Sequence, residues 1–206
     1  MTGQYAGMDF FIEKLEDLKN EHSFLSLYQT IFVSNIKKML GENQLEMVDN
    51  YIENHFDLIA KASLMNPAEK SETLFYVALS RFNLKDMKGA AKVLNELIHF
   101  HDLPNRHMFR LIRLINLIVH FEMHNFVYLE SGIRSLERDL KQSKRSFLTE
   151  QVILKMLRKY PLTLSKSSRK KLLELTFQEL EQLKNNTYEM QLFHIFDFCK
   201  WLKEKI

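Results

Sequence analysis

Cysteine is nearly absent from this sequence. Its 206 residues include a single cysteine, Cys199, which excludes an internal disulfide and any cysteine-rich zinc site. Cys199 lies on an apolar pattern near the C-terminus, so we predict a buried structural thiol. The first eight residues lack a cationic patch followed by an apolar run, so we expect no secretory signal peptide. Together these features favour the reducing cytoplasm as the location of the protein.

Glycine and proline are scarce as well. Five glycines and three prolines are too few for the turns of a β-sandwich or for an extended linker. Phosphate-binding loops and dinucleotide fingerprints need several glycines at fixed spacing, and neither motif is present. Serine-nucleophile motifs are also missing. We therefore expect a protein that is not an enzyme, with no catalytic residues and no cofactor.

Long apolar runs are missing too. The most apolar segment, residues 108–121, is interrupted by Arg110, Arg113, Asn116 and His120. A membrane-spanning helix needs about 20 consecutive, predominantly apolar residues. We therefore expect no membrane span and no membrane partner.

Apolar residues at helical spacing dominate what is present. One series at steps of three and four is Phe126, Leu129, Ile133, Leu136 and Leu140. The strict alternation that marks half-buried strands does not occur. The sequence therefore predicts an all-α protein.

Interruptions of this pattern predict about ten helices and their connections. The predicted helices lie near 9–21, 23–40, 43–64, 67–83, 87–101, 105–123, 126–142, 146–159, 167–184 and 188–205. Because the connections are short, successive helices are expected to be antiparallel neighbours. We predict a disordered tail over residues 1–7 and a single domain over residues 8–206.

A repeat signal lies in residues 74–94. Ala78 and Ala90 are small residues that allow two helices to approach closely, and Asp86 stands where a side chain caps the second helix. The segment resembles one tetratricopeptide repeat, a helix–turn–helix unit of about 34 residues. It departs from the pattern of that repeat at Arg81, where a large aromatic is usual, and at Lys85, where glycine is usual.

A second, degenerate repeat follows in residues 106–129, with Leu129 in place of the expected alanine. Counting back rigidly from Asn125 buries Arg113, Asn116 and His120, which is unfavourable for polar side chains. One extra turn residue instead buries an apolar set, and we predict that insertion. The apolar set is Ile112, Ile115 and Val119.

The tetratricopeptide resemblance implies an architecture and a function. Antiparallel helix pairs would stack into a right-handed α-solenoid whose first helices line a concave surface. Proteins of this kind are non-catalytic interaction modules that bind a protein or peptide in the concave groove. We expect the same function here.

Three apolar residues of the first repeat are candidates for the concave face. Phe75, Leu79 and Phe82 step by four and three along the helix, beside the line of core residues. On a concave face they would contact the partner. The alternative is that they pack in the core against residues 43–64.

A cationic stripe on the apolar helix 106–123 is a second candidate for partner binding. It contains Arg110, Arg113 and His120. Arginine grips a carboxylate with two parallel hydrogen bonds, so the stripe predicts a clamp for an acidic protein or peptide. In the alternative reading the arginines pair with internal acids such as Glu72, Glu96 or Glu130.

His120 and His124 also resemble part of a metalloprotease helix. The glutamate between them, Glu122, follows His120 by two positions rather than one. Two positions rotate a side chain by about 200° around the helix, so Glu122 points away from the face that the histidines share. We predict no metal site.

Charge is distributed unevenly along the chain. Residues 1–100 carry 10 basic and 14 acidic residues, residues 101–171 carry 15 and 6, and residues 172–206 carry 4 and 6. The basic segment 134–171 supports an alternative function, in which a helical regulator or adaptor contacts nucleic acid. An acidic stripe early in the chain is expected to be a solvated face that also complements the basic segment of another copy. That stripe consists of Glu42, Glu46, Asp49, Glu53 and Asp57.

Overall fold

The computed structural model describes residues 7–21, 25–99, 106–142 and 146–206. These residues form helices and connections without a β-strand, which confirms the all-α prediction. None of the helices in these ranges is long and apolar enough to cross a membrane. The predicted disordered tail over residues 1–7 lies outside the described residues, apart from Gly7.

Twelve α-helices and one 3₁₀ turn at Lys61–Leu64 are found in the described ranges. The α-helices are α1 (Met8–Glu21), α2 (Leu25–Gly41), α3 (Leu45–Asn54), α4 (Phe56–Ala60), α5 (Pro67–Asn83), α6 (Met87–Ile98), α7 (Arg106–Glu122), α8 (Phe126–Gln142), α9 (Leu148–Leu162), α10 (Lys166–Leu183), α11 (Thr187–Phe193) and α12 (Phe198–Lys203).

Two predicted helices are divided in the structure. The segment 43–64 becomes α3, α4 and the 3₁₀ turn, because His55 leaves the helical conformation with φ −113° and ψ 23°. The segment 188–205 becomes α11 and α12, because the Asp197 side chain accepts a hydrogen bond from the Lys200 N–H and begins a new helix. Capping groups of this kind end a helix although the apolar spacing continues.

Contacts divide the chain into two compact units, one ending at Val119 and the other extending from His120 to Ile206. The sequence analysis expected one domain over residues 8–206. In the first unit α5 packs along α6, and α2 packs against α1, α3 and α5. The core of this unit contains the fully buried side chains of Phe32, Ile36, Phe75 and Leu94.

The turn between α5 and α6 contains Lys85, the position at which the sequence pattern favours glycine. Lys85 has a φ of 65°, in the left-handed region that glycine adopts most readily. Asp86 then begins α6, since its carboxylate accepts a hydrogen bond from the Gly89 N–H at 2.9 Å and one from Arg81 at 2.9 Å. Lysine thus occupies a glycine conformation in this turn.

The same turn geometry recurs after α2 and after α7. Asn43 and His124 have φ values of 60° and 55°. In each of the three turns the next N–H donates to the carbonyl five residues earlier, at 2.8–2.9 Å, which is the Schellman pattern of a helix C-terminus. Three helix pairs within the described ranges are therefore joined by one type of turn.

The apolar set predicted to be buried on α7, Ile112, Ile115 and Val119, is fully buried, but without the extra turn residue. The connection between α7 and α8 has the same length and the same hydrogen bonds as the connection between α5 and α6, so no extra turn residue is present. Polar and apolar sets are both largely buried, because every residue of α7 from Arg110 to Phe121 is buried except Arg113. Because α7 is buried around nearly its whole circumference, burial does not distinguish the alignment that buries the polar set from the one that buries the apolar set.

The second unit is built around α9, which packs against α8, α10 and α11. The Trp201 indole N–H donates to the Glu122 carboxylate at 2.6 Å and thereby ties α12 to the end of α7. Cys199 is buried, as predicted, with 2% of its surface exposed. Burial, together with a hydrogen bond to Glu181, raises the pKa of the Cys199 thiol to about 12, so the thiol stays protonated and unreactive.

Candidate functional site

A groove lies between α8 and α9 in the second unit. Its cavity has a volume of about 450 Å³, which is the size of a small ligand site. We call it the α8–α9 groove. Its lining residues are Glu137, Leu140, Lys141, Ser146, Gln151, Leu154, Lys155, Arg158 and Lys159.

Helical spacing positions the side chains of the groove. Lys155, Arg158 and Lys159 are separated by three and four residues, so they project from one face of α9. Leu140 and Leu154 are buried, with 8% and 1% of their surface exposed. The groove therefore has an apolar floor, with exposed cationic side chains above it.

The charge of the groove is strongly positive. Four of its lining residues are basic and one is acidic, and the acid, Glu137, accepts a hydrogen bond from Arg158. Among the residues that the structure describes, no acid forms an ion pair with Lys141, Lys155 or Lys159. Unpaired lysines beside an apolar floor favour a ligand that carries negative charges next to an apolar group.

Two other cations of the segment 134–171 are engaged within the second unit. Arg134 forms an ion pair with Glu130. The Arg169 guanidinium donates to the Thr163 carbonyl at 2.6 Å and lies 5.1 Å above the Tyr160 ring. The contacts of Arg169 hold the connection between α9 and α10, whereas Arg138, Lys166 and Lys171 are exposed like the lysines of the groove.

The residues of the predicted arginine clamp lie outside the lining of this groove. Arg110 is buried, with 5% of its surface exposed, and its guanidinium donates to His107 Nδ1 at 2.8 Å. The Arg113 guanidinium lies 5.5 Å above the Phe109 ring. Their described contacts are thus with side chains of α7 itself.

His120, the third residue of that stripe, belongs to the second unit. It has 6% of its surface exposed, and its ring stacks on Tyr128 with 3.7 Å between the centroids. Burial lowers the pKa of His120, so the ring is neutral at pH 7. A neutral, stacked ring is poorly suited to bind a carboxylate.

The acids suggested as internal partners of the arginines contact other cations. Glu72 pairs with Lys37 at 2.7 Å, and Glu96 pairs with Lys70 at 3.5 Å. Glu130 pairs with Arg134. Each of these three acids therefore has a described ion pair with a cation other than Arg110 or Arg113, and internal pairing of the two arginines stays a prediction.

Phe75, Leu79 and Phe82 lie in the core of the first unit. Their exposed fractions are 0%, 2% and 4%, so no surface of these side chains is available to a partner. The expectation of an exposed concave face at these positions is corrected to core packing. The apolar spacing that placed them beside the core line did not reveal that α5 is covered on this side as well.

The groove itself was missed by the sequence analysis, although one signal for it was present. Lys155, Arg158 and Lys159 share a face of α9, and the sequence analysis recorded Arg158 and Lys159 only as part of a general basic segment. The opposing wall comes from α8, and nothing in the local sequence specifies which helix lies there. The groove is therefore a tertiary feature with only a partial sequence signal.

Comparison with protein-family models, with curated proteins and with solved structures finds no match to this chain. Among the side chains that the structure describes, no group of three or more His, Cys, Asp or Glu residues is arranged to hold a metal ion. The geometry and charge of the α8–α9 groove are therefore the features that point to a function.

Proposed function

We propose that this protein is a non-catalytic interaction module whose α8–α9 groove binds an acidic segment of a protein partner. The observation that carries the proposal is the set of unpaired lysines, Lys141, Lys155 and Lys159, around a cavity with an apolar floor. A partner segment with carboxylates on either side of one large apolar side chain satisfies both features. A cytoplasmic location agrees with a single buried thiol.

The architecture supports the same function. Helix pairs joined by a short turn are the building unit of tetratricopeptide-like solenoids, and the positive φ of Lys85, the cap formed by Asp86 and the burial of Ala90 support the resemblance. Stacked helix pairs expose grooves between neighbouring helices, which bind extended or helical segments of partners. We propose that the α8–α9 groove is a surface of this kind.

A panel of synthetic acidic peptides with a central aromatic or leucine residue tests the proposal by fluorescence anisotropy. The change is the double substitution Lys155→Glu and Lys159→Glu. It is expected to weaken binding of the best peptide at least about tenfold, because two attractive charges become repulsive. The matched control is Lys88→Glu with Lys92→Glu, which has the same spacing on exposed positions of α6.

The control variant should bind the peptide as tightly as the unmodified protein. Equal weakening in both double variants would show that only net charge matters, and the groove would then not be the site. Failure of every peptide to bind at low ionic strength would also contradict the proposal.

Nucleic acid is the second candidate partner, and the unpaired lysines of the groove favour it. The affinity of the protein for nucleic acid should fall steeply as the salt concentration rises, because each phosphate contact releases a counterion. A peptide that also buries an apolar side chain on Leu140 and Leu154 loses less affinity on the same salt change. Binding of a single-stranded oligonucleotide that is stronger and more salt-sensitive than peptide binding would favour this alternative.

A further inference from the structure

The first unit carries an exposed face whose charge is opposite to that of the groove. We call it the acidic face, and it consists of Glu46, Asp49, Glu53 and Asp57 on α3 and α4. All four side chains are exposed. No ion pair to any of them is found within the described part of the chain. Neighbouring carboxylates repel one another, so an external cation-bearing surface is favourable here.

A large apolar side chain next to the acidic face is also exposed to solvent. Phe56 has 66% of its surface exposed. Phe56 begins α4, is adjacent to Asp57 and follows Glu53 by three residues. An exposed aromatic side chain with an acid on either side in sequence is the ligand chemistry that the α8–α9 groove favours.

We propose that the α8–α9 groove binds the acidic face of a second copy of this chain. In this arrangement Phe56 of one copy enters the cavity above Leu140 and Leu154 of the other. Its neighbours Glu53 and Asp57 then form ion pairs with Lys155 and Lys159. The cavity of about 450 Å³ accommodates a phenylalanine side chain. The inference rests on the proposed function, since it uses the same groove and names its partner.

The two faces are different surfaces of one chain, so their contact is heterologous. A heterologous contact leaves one groove and one acidic face unoccupied at the ends, and further copies can add unless the arrangement closes into a ring. Association should therefore grow with protein concentration. It should also weaken as salt rises, because exposed charges are screened beyond about 10 Å at about 0.1 M ionic strength.

Sedimentation velocity of the full chain over a range of concentrations tests this inference. The unmodified protein is expected to associate at about 50 mM salt and to dissociate at about 0.5 M salt. Each of two charge-reversal variants should weaken association at least about tenfold. One variant is Lys155→Glu with Lys159→Glu, and the other is Glu53→Lys with Asp57→Lys. Phe56→Ser should weaken it to a similar degree.

The decisive variant combines all four charge-reversal substitutions in one chain. At the two positions on each surface that are proposed to form ion pairs the charges are exchanged, so the pairing is restored and association should return. The matched control is Glu13→Lys with Asp17→Lys, which has the same spacing on exposed positions of α1 and should associate like the unmodified protein. A variant that merely misfolds cannot be rescued by further reversals on a different unit.

Three outcomes would overturn the inference. One is an unmodified protein that stays monomeric at about 50 mM salt and the highest soluble concentration, and another is a four-reversal chain that stays monomeric while the unmodified protein associates. A third is loss of association in the α1 control.

Acidic-peptide binding, measured on the same samples, separates the two proposals. Peptide binding without self-association would overturn this inference alone, and the absence of both would overturn the proposed function as well.

Discussion

Glu189 on α11 caps the helix that carries the groove through its contacts with Thr149. The buried Glu189 carboxylate accepts hydrogen bonds from the Thr149 N–H at 2.9 Å and from the Thr149 hydroxyl at 2.8 Å. It also accepts one from the Leu148 N–H at 2.8 Å. These donors lie at the N-terminus of α9, where negative charge is stabilised by the helix dipole. Glu189 thus holds the helix from which the cations of the groove project.

Substitution of this carboxylate should destabilise the second unit. Glu189→Ala leaves the buried N–H and hydroxyl of Thr149 without an acceptor, each at a cost of about 1–3 kcal/mol, and also removes the acceptor of the Leu148 N–H. We expect the free energy of unfolding to fall by about 3 kcal/mol, measured by urea titration. Glu179→Ala, an exposed position on α10, is the control and should change it by less than about 0.5 kcal/mol. Equal effects at the two positions would contradict the capping role.

The burial of Phe75 predicts a stability effect rather than a binding effect. Phe75→Ala removes a fully buried ring and should lower the free energy of unfolding by about 3–5 kcal/mol. Phe56→Ala, at a position with 66% exposure, is the matched control and should leave the melting temperature nearly unchanged. A Phe75→Ala protein with unchanged stability and weakened partner binding would restore the concave-face interpretation.

The left-handed conformation of Lys85 predicts a stabilising substitution. A non-glycine residue in this region costs about 1–2 kcal/mol, and glycine avoids that cost but loses more backbone entropy on folding. Lys85→Gly should therefore raise the free energy of unfolding by about 0.5 kcal/mol, whereas Lys85→Val should lower it. Thermal unfolding of the two variants would show this opposite ordering. A stabilising Lys85→Val would contradict the described turn.

His120 predicts a pH dependence of stability whose sign follows from its burial. Its pKa in the folded protein is lowered from the ordinary value of 6.5 by burial, so the unfolded chain binds more protons at mildly acidic pH. Stability should therefore be complete above pH 6.5 and should decrease as the pH falls from there towards the lowered pKa.

The comparison with His120→Gln isolates this contribution from those of the other histidines. The slope is at most about 1.4 kcal/mol per pH unit for one group. Urea titrations between about pH 5 and 7.5 should show a smaller loss of stability for His120→Gln than for the unmodified protein. Identical profiles for the two proteins would indicate that His120 is accessible to protonation in the folded state.

Local sequence was sufficient for the features that depend on neighbours within one or two helical turns. The all-α class, the burial of Ile112, Ile115 and Val119 on α7 and the cap of α6 by Asp86 were all predicted. Each depends on side-chain spacing or on a capping group within four residues, and these are the distances over which helical periodicity and backbone capping act.

Tertiary structure decided what depends on residues far apart in the chain. The capping of Thr149 by Glu189 spans 40 residues, the α8–α9 groove requires that α8 lie opposite Lys155, and Phe75 is buried because α5 is covered on a second side. Local sequence is silent on these points, since the free energy of a contact between distant residues depends on which elements pack together. The helices follow from local spacing, whereas the groove exists only because two particular helices are neighbours.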